Sequence, residues 1–147
     1  MTEYFTVTRT LRAPRELVFE TLTKPEHFAV WFGTAAVEVP QDSLMMDVRP
    51  GGAFRAVMLL PDGNRIDWAG EYKVVDPPSH LAMTLTDQPG DDAGLPVLFD
   101  LEETTGGTLL TIRQDRSDFS DEQVAATIAG YNAFVDDIER VLERLTS

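Results

Sequence analysis

The sequence predicts an α+β fold: a curved antiparallel sheet wrapped around one long C-terminal helix, with two short helices after the first strand. Three observations carry this expectation. From Ser120 to Leu145 apolar residues recur at Val124, Ile128, Tyr131, Val135, Ile138, Leu142 and Leu145. Each step is three or four residues, which gathers them into one stripe of an α-helix. Upstream, short runs of alternating apolar and polar residues are separated by Gly, Pro, Asn and Asp, the pattern of an antiparallel meander. An apolar sheet face and an apolar helix stripe both need cover, and each supplies it to the other.

The elements follow in order. Residues 4–12 mix β-branched and aromatic side chains and predict a strand. Pro14 stands where the first turn of a helix accepts proline, and Leu17, Val18 and Leu22 give that helix an apolar face. Pro25 opens a second short helix with Phe28, Trp31 and Phe32. Strands are expected at 35–39, 44–49 and 53–60. The second ends at Arg49-Pro50-Gly51-Gly52 and the third at Pro61-Asp62-Gly63-Asn64, both turn signals. Over 65–75 the alternation puts Ile66, Trp68, Gly70, Tyr72 and Val74 on one face and Asp67, Ala69, Glu71 and Lys73 on the other. Asp76-Pro77-Pro78-Ser79 ends that strand, and Leu81, Met83 and Leu85 form the inner face of the next. Residues 87–96 read as a polar, Gly- and Pro-rich loop. Val97, Phe99 and Leu101 mark another strand, which Gly106-Gly107 turns into 108–115.

The last helix has a clear start. Ser120 with Gln123 forms a capping box, and Phe119 before it is placed to staple onto Val124. Its interior contains Gly130, which costs about 1 kcal/mol against alanine in a helix. Two explanations stand. Either another backbone packs close to Gly130, or space is left for a ligand beside Tyr131.

The totals bound what the chain does. Its 147 residues, without repeat or linker, predict a single domain over 1–147. The net charge of −13 argues against nucleic acid and anionic membranes as partners. No apolar run approaches the ~18 residues of a membrane span. Met1-Thr2-Glu3-Tyr4 does not begin a signal peptide, and the chain lacks cysteine. The expected location is the cytoplasm.

No catalytic set and no metal site emerge. His27 and His80 are not spaced as local metal ligands, and without cysteine there is no thiolate site. No Gly-x-Ser-x-Gly elbow and no phosphate-cradling glycine loop occurs, so neither a catalytic residue nor a cofactor is assigned. Asp67 and Glu71 share a strand face, but it is the one opposite Trp68 and Tyr72. Asp136, Asp137 and Glu139 read as a solvent-facing part of the last helix.

The aromatic and methionine residues carry more. Phe54, Met58, Trp68, Tyr72, Met83 and Phe99 on the sheet can face Thr127, Tyr131 and Phe134 on the helix. These are the candidate ligand-binding residues. The set describes either a filled core or a partly open apolar pocket with a few polar groups. Indole and phenol groups need a hydrogen-bond partner when buried, and a ligand can supply one.

Several segments together resemble a known family. They are Ala13-Pro14-Arg15-Glu16-Leu17-Val18-Phe19, Pro25-Glu26 leading to Trp31-Phe32, Asp47-Val48-Arg49-Pro50-Gly51-Gly52, Asp62-Gly63, and Gly70-Glu71-Tyr72 before Pro77-Pro78. Near the end come Gly106-Gly107-Thr108-Leu109-Leu110-Thr111 and Gly130-Tyr131, where many relatives carry Gly-Trp. In this order they resemble the START/Bet v-like (SRPBCC) superfamily, and within it the proteins similar to activator of heat-shock-protein-90 ATPase homologue 1. The resemblance implies a helix-grip fold with a cavity between sheet and long helix, where many members bind hydrophobic or amphipathic small molecules. The leading expectation is therefore a binding protein for a hydrophobic or aromatic small molecule. The first alternative is a cyclase-, dehydratase- or hydrolase-like enzyme acting on a polyketide-like or aromatic substrate. The second is a chaperone-interaction module like the co-chaperone that gives the family its name. A homodimer is left open, since no sequence feature measures association.

Overall fold

The alternation read in the sequence becomes one seven-stranded antiparallel sheet. The computed structural model describes residues 4–33, 37–86, 96–116 and 119–146. In chain order the elements are β1 (Tyr4–Leu11), α1 (Arg15–Thr23), α2 (Pro25–Gly33), β2 (Met45–Met46), β3 (Ala53–Leu59), β4 (Arg65–Asp76), β5 (His80–Met83), β6 (Val97–Thr104), β7 (Gly107–Asp115) and α3 (Asp121–Thr146). The sheet runs β1-β7-β6-β5-β4-β3-β2, so the first strand closes against the last and the remainder is a simple meander. One face of every long strand is buried, and α1, α2 and α3 cover it.

Pro14 lies one position earlier than expected. It is the residue before α1, and its carbonyl accepts from the Leu17 and Val18 amides at 3.0 and 3.1 Å. α2 buries Phe28, Trp31 and Phe32, and Trp31 Nε1 donates to the Thr21 carbonyl at 2.7 Å, which fixes the two short helices together. The expected strand at 35–39 falls partly outside the described residues. Of the rest, only Glu38 pairs, with Leu59. The strand expected at 44–49 shrinks to two residues because Asp47 and Arg49 already turn the chain. A Cβ at Gly52 would lie 1.8 Å from the Asp47 carbonyl oxygen, so that turn requires glycine. The loop read at 87–96 lies outside the described residues, except for Pro96.

β4 corrects the simple alternation. Its register with β5 shifts between Tyr72 and Val74. The bulge turns the strand over, so that Val75 packs on the core while Val74 points to solvent. Asp67 and Glu71 lie on the outer face, paired with Arg65 at 2.5 Å and Lys73 at 3.3 Å.

α3 begins with the capping box. The Ser120 amide donates to Gln123 Oε1 at 2.8 Å, and the Gln123 amide donates to Ser120 Oγ at 3.1 Å. Its buried residues are Val124, Tyr131, Val135, Asp137, Ile138, Val141 and Leu142. Leu145, expected in the stripe, is exposed because the helix has by then run past the core. Asp137, expected in solvent, is buried, because it lies beside the stripe between Phe134 and Val141 and receives a hydrogen bond from Arg140 one turn on. Arg9 of β1 clasps the outer edge of α3, donating to Glu139 at 2.6 Å, Asp136 at 3.0 Å and Asn132 at 3.3 Å. No helix among the described residues is long and apolar enough to cross a membrane.

Candidate functional site

The space between sheet and α3 is filled along most of its length and open at one end. Part of the filling comes from α2. Phe28 meets Phe54 with ring centroids 5.2 Å apart, and Phe32 meets Phe54 at 6.1 Å. Phe54 in turn meets Tyr72 at 6.4 Å. Phe54, Met58, Tyr72, Met83 and Phe99 are therefore core residues, all at most 7% exposed, and none of them is at the open end. The other four candidates, Trp68, Thr127, Tyr131 and Phe134, do come together there, around a cavity of about 460 Å³. That is within the roughly 300–1,000 Å³ common for small-molecule sites.

Each wall has a local origin. Phe32 closes the end of α2, stacked on Phe134 of α3 at 5.4 Å and set edge-on to Trp68 of β4 at 5.6 Å. Leu85 and Thr86 extend β5, held because Thr86 and Ala69 exchange main-chain hydrogen bonds. Val97 begins β6 and Gln114 is the next-to-last residue of β7. Phe119, immediately before the α3 cap, packs on Phe5 at 6.3 Å, and Phe5 meets Tyr131 at 6.2 Å. Gly130 completes the helical side.

Sequence reasoning did not place Phe32, Leu85, Thr86, Val97, Gln114 or Phe119 at a site. For Gln114 a signal existed. Leu110 and Ile112 are buried on the inner face of β7, and Gln114 continues their parity, a polar residue where the pattern asks for an apolar one.

The polar groups are few. Tyr131 Oη donates a short hydrogen bond to Gln114 Oε1, and burial pushes this phenol well above the ordinary tyrosine range. Thr127 Oγ1 donates to the Gln123 carbonyl at 2.8 Å. Trp68 Nε1 is enclosed without an acceptor. Among the described residues, no charged side chain lines the cavity, and no three His, Cys, Asp or Glu groups cluster as metal ligands. A phenol held so firmly protonated is a hydrogen-bond donor and a poor proton-transfer group near neutral pH.

Gly130 is the informative backbone position. A Cβ built there meets nothing within 4 Å outside its own helix turn and neighbours. Among the described residues no second backbone approaches it, and none of them explains the glycine by close packing.

Comparison with known proteins comes to the same fold. The family model for "Activator of Hsp90 ATPase homolog 1-like protein" matches residues 12–143. No curated protein matches the chain in sequence. Among solved structures, protein NE0264 of Nitrosomonas europaea is similar at 22% identity and a TM-score of 0.80, over 97% of this chain and 96% of its own. An AHSA1-like protein of Aeromonas hydrophila gives 20% identity and 0.80, over 98% and 94%. DynU16, a protein from the dynemicin biosynthetic locus, gives 23% and 0.73, over 95% of this chain and 47% of its own. Identities this low speak for the helix-grip fold alone.

Proposed function

The chain belongs to the activator of Hsp90 ATPase homolog 1-like family, and from that premise we propose that it binds a hydrophobic or aromatic small molecule in the cavity beneath α3. One observation carries this reading above the others. A glycine stands in mid-helix at the cavity wall with open space where its side chain would be. The helix gives up about 1 kcal/mol there relative to alanine, and no packing partner among the described residues requires it. Volume kept open at such a cost is consistent with an occupant. The aromatic faces of Phe32, Trp68, Tyr131 and Phe134 suit flat or greasy molecules. A proton-transferring enzyme finds less support, because the one ionisable group among the described residues at the cavity, Tyr131, is shifted away from neutral pH. A chaperone partner rests on the family relationship alone.

The test uses the uncharged fluorescent probe N-phenyl-1-naphthylamine, titrated into the protein and into Gly130→Leu. The expected result is saturable uptake by the parent protein and at least about tenfold weaker uptake by the variant, roughly 1.4 kcal/mol, with Tm maintained. Equal uptake by both would place the probe elsewhere and remove the proposal.

A further inference from the structure

Resting on the reading of this cavity as a ligand pocket, we infer that its ligand carries a hydroxyl on its ring system, and that the hydroxyl proton is received by the side-chain oxygens of Thr127 and Tyr131 on α3.

The two residues stand four apart, so their side chains lie one above the other on the same helix face. Both line the cavity, and so does Gly130 beside Tyr131. A Cβ at Gly130 would meet nothing within 4 Å among the described residues. The helix therefore offers the ligand a bare stretch of backbone flanked by two oxygens.

What those oxygens do follows from where their protons go. Thr127 Oγ1 donates to the Gln123 carbonyl at 2.8 Å. A carbonyl only accepts, so the direction of that bond is fixed. Tyr131 Oη donates to Gln114 Oε1, and burial holds the phenol protonated. Each hydroxyl has spent its single proton and keeps lone pairs. Toward a ligand both are acceptors. A ketone or ether oxygen placed against them sets lone pair against lone pair, whereas an O–H group supplies the missing proton. Trp68 does not offset this with a donor of its own, because its Nε1 is enclosed and the indole meets the cavity with carbon. A hydroxyl also keeps lone pairs, so it suits the Gln114 amide and the Thr86 hydroxyl at the same wall whether these donate or accept.

The experiment uses three fluorenes that differ at one position as competitors of bound N-phenyl-1-naphthylamine: 2-hydroxyfluorene, 2-methylfluorene and 2-methoxyfluorene. Methyl matches hydroxyl in size, and methoxy keeps the oxygen without its proton. In a merely apolar pocket the hydroxyl compound, the least hydrophobic of the three, binds most weakly. The expected result is 2-hydroxyfluorene about fivefold tighter than either of the others, one hydrogen bond's worth. Thr127→Val replaces the hydroxyl by a methyl of the same shape, and Tyr131→Phe removes the phenol oxygen. The preference for 2-hydroxyfluorene over 2-methylfluorene should fall to twofold or less in at least one of these variants. A preference of twofold or less over either compound in the parent protein overturns the inference, as does one that stays above twofold in both variants, while pocket binding itself stands. If neither the probe nor any of the three fluorenes binds the parent protein, the pocket reading falls and this inference with it.

Discussion

Two tyrosines show how one side-chain type does different work according to its partner. Tyr72 is fully enclosed and its hydroxyl has no hydrogen-bond partner, whereas Tyr131 gives its proton to Gln114. Removing an unsatisfied buried hydroxyl relieves a desolvation cost, while removing a paired one orphans the partner. Tyr72→Phe is therefore expected to raise stability by about 1 kcal/mol, and Tyr131→Phe to lower it by about 1 kcal/mol; urea unfolding of both variants measures the difference. Burial also raises both phenols above their usual range. The folded protein then keeps protons that the unfolded chain releases near pH ~10. With fewer protons bound in the unfolded state, stability is complete below that pH and declines above it. Tm followed from pH 9 to 11 should fall for the parent protein and fall less steeply for Tyr72→Phe. Neither hydroxyl's fate was legible in the sequence. Alternation put Tyr72 inward correctly, but not what its oxygen would meet, since that depends on side chains from distant strands.

At the scale of elements, α3 carries the most information. Its start was readable because Ser120 and Gln123 satisfy each other's backbone amides within one turn, a wholly local arrangement. Ser120→Ala should cost about 1 kcal/mol, seen as a lower midpoint in thermal denaturation. Gly130→Ala should gain up to about 1 kcal/mol, since the added methyl meets nothing within 4 Å among the described residues; a loss instead would contradict the open space beside the helix. What the sequence concealed was non-local. The bulge that exchanges Val74 for Val75 arises from pairing with β5, and Asp137 is buried although it lies beside the apolar stripe rather than in it. Likewise, Phe54, Met58, Met83 and Phe99 share the inward parity of Trp68. They differ from it in lying away from the open end, in the part of the space where α2 covers Phe54 with Phe28 and Phe32. Periodicity assigns a face, and it cannot say which stretch of that face another element will plug.

Taken as a whole, the molecule joins its ends. β1 pairs with β7 along its full length, and Arg9 ties β1 to α3. Buried Thr108 Oγ1 donates to the Ala13 carbonyl at 2.7 Å, fastening the β1–α1 connection to the penultimate element. Contacts between the two termini of this kind predict a single cooperative unfolding transition over 1–147. Tryptophan fluorescence and far-ultraviolet circular dichroism should report the same midpoint, and two separated midpoints would contradict a one-domain reading. The architecture was the most legible part of the chain because it rests on patterns repeated over many residues. The cavity was the least legible because it is a remainder, the volume left after every other side chain is placed. That remainder makes α3 a beam on two piers. One pier is Val124 beside the cap, the other the packed run from Val135 to Leu142, and between them Tyr131 reaches across to Gln114 on the sheet. Such a beam is softest at mid-span, near Gly130. Amide hydrogen exchange should be faster there than from Val135 onward, and a molecule seated underneath would act as a third pier, slowing exchange at mid-span without displacing the helix.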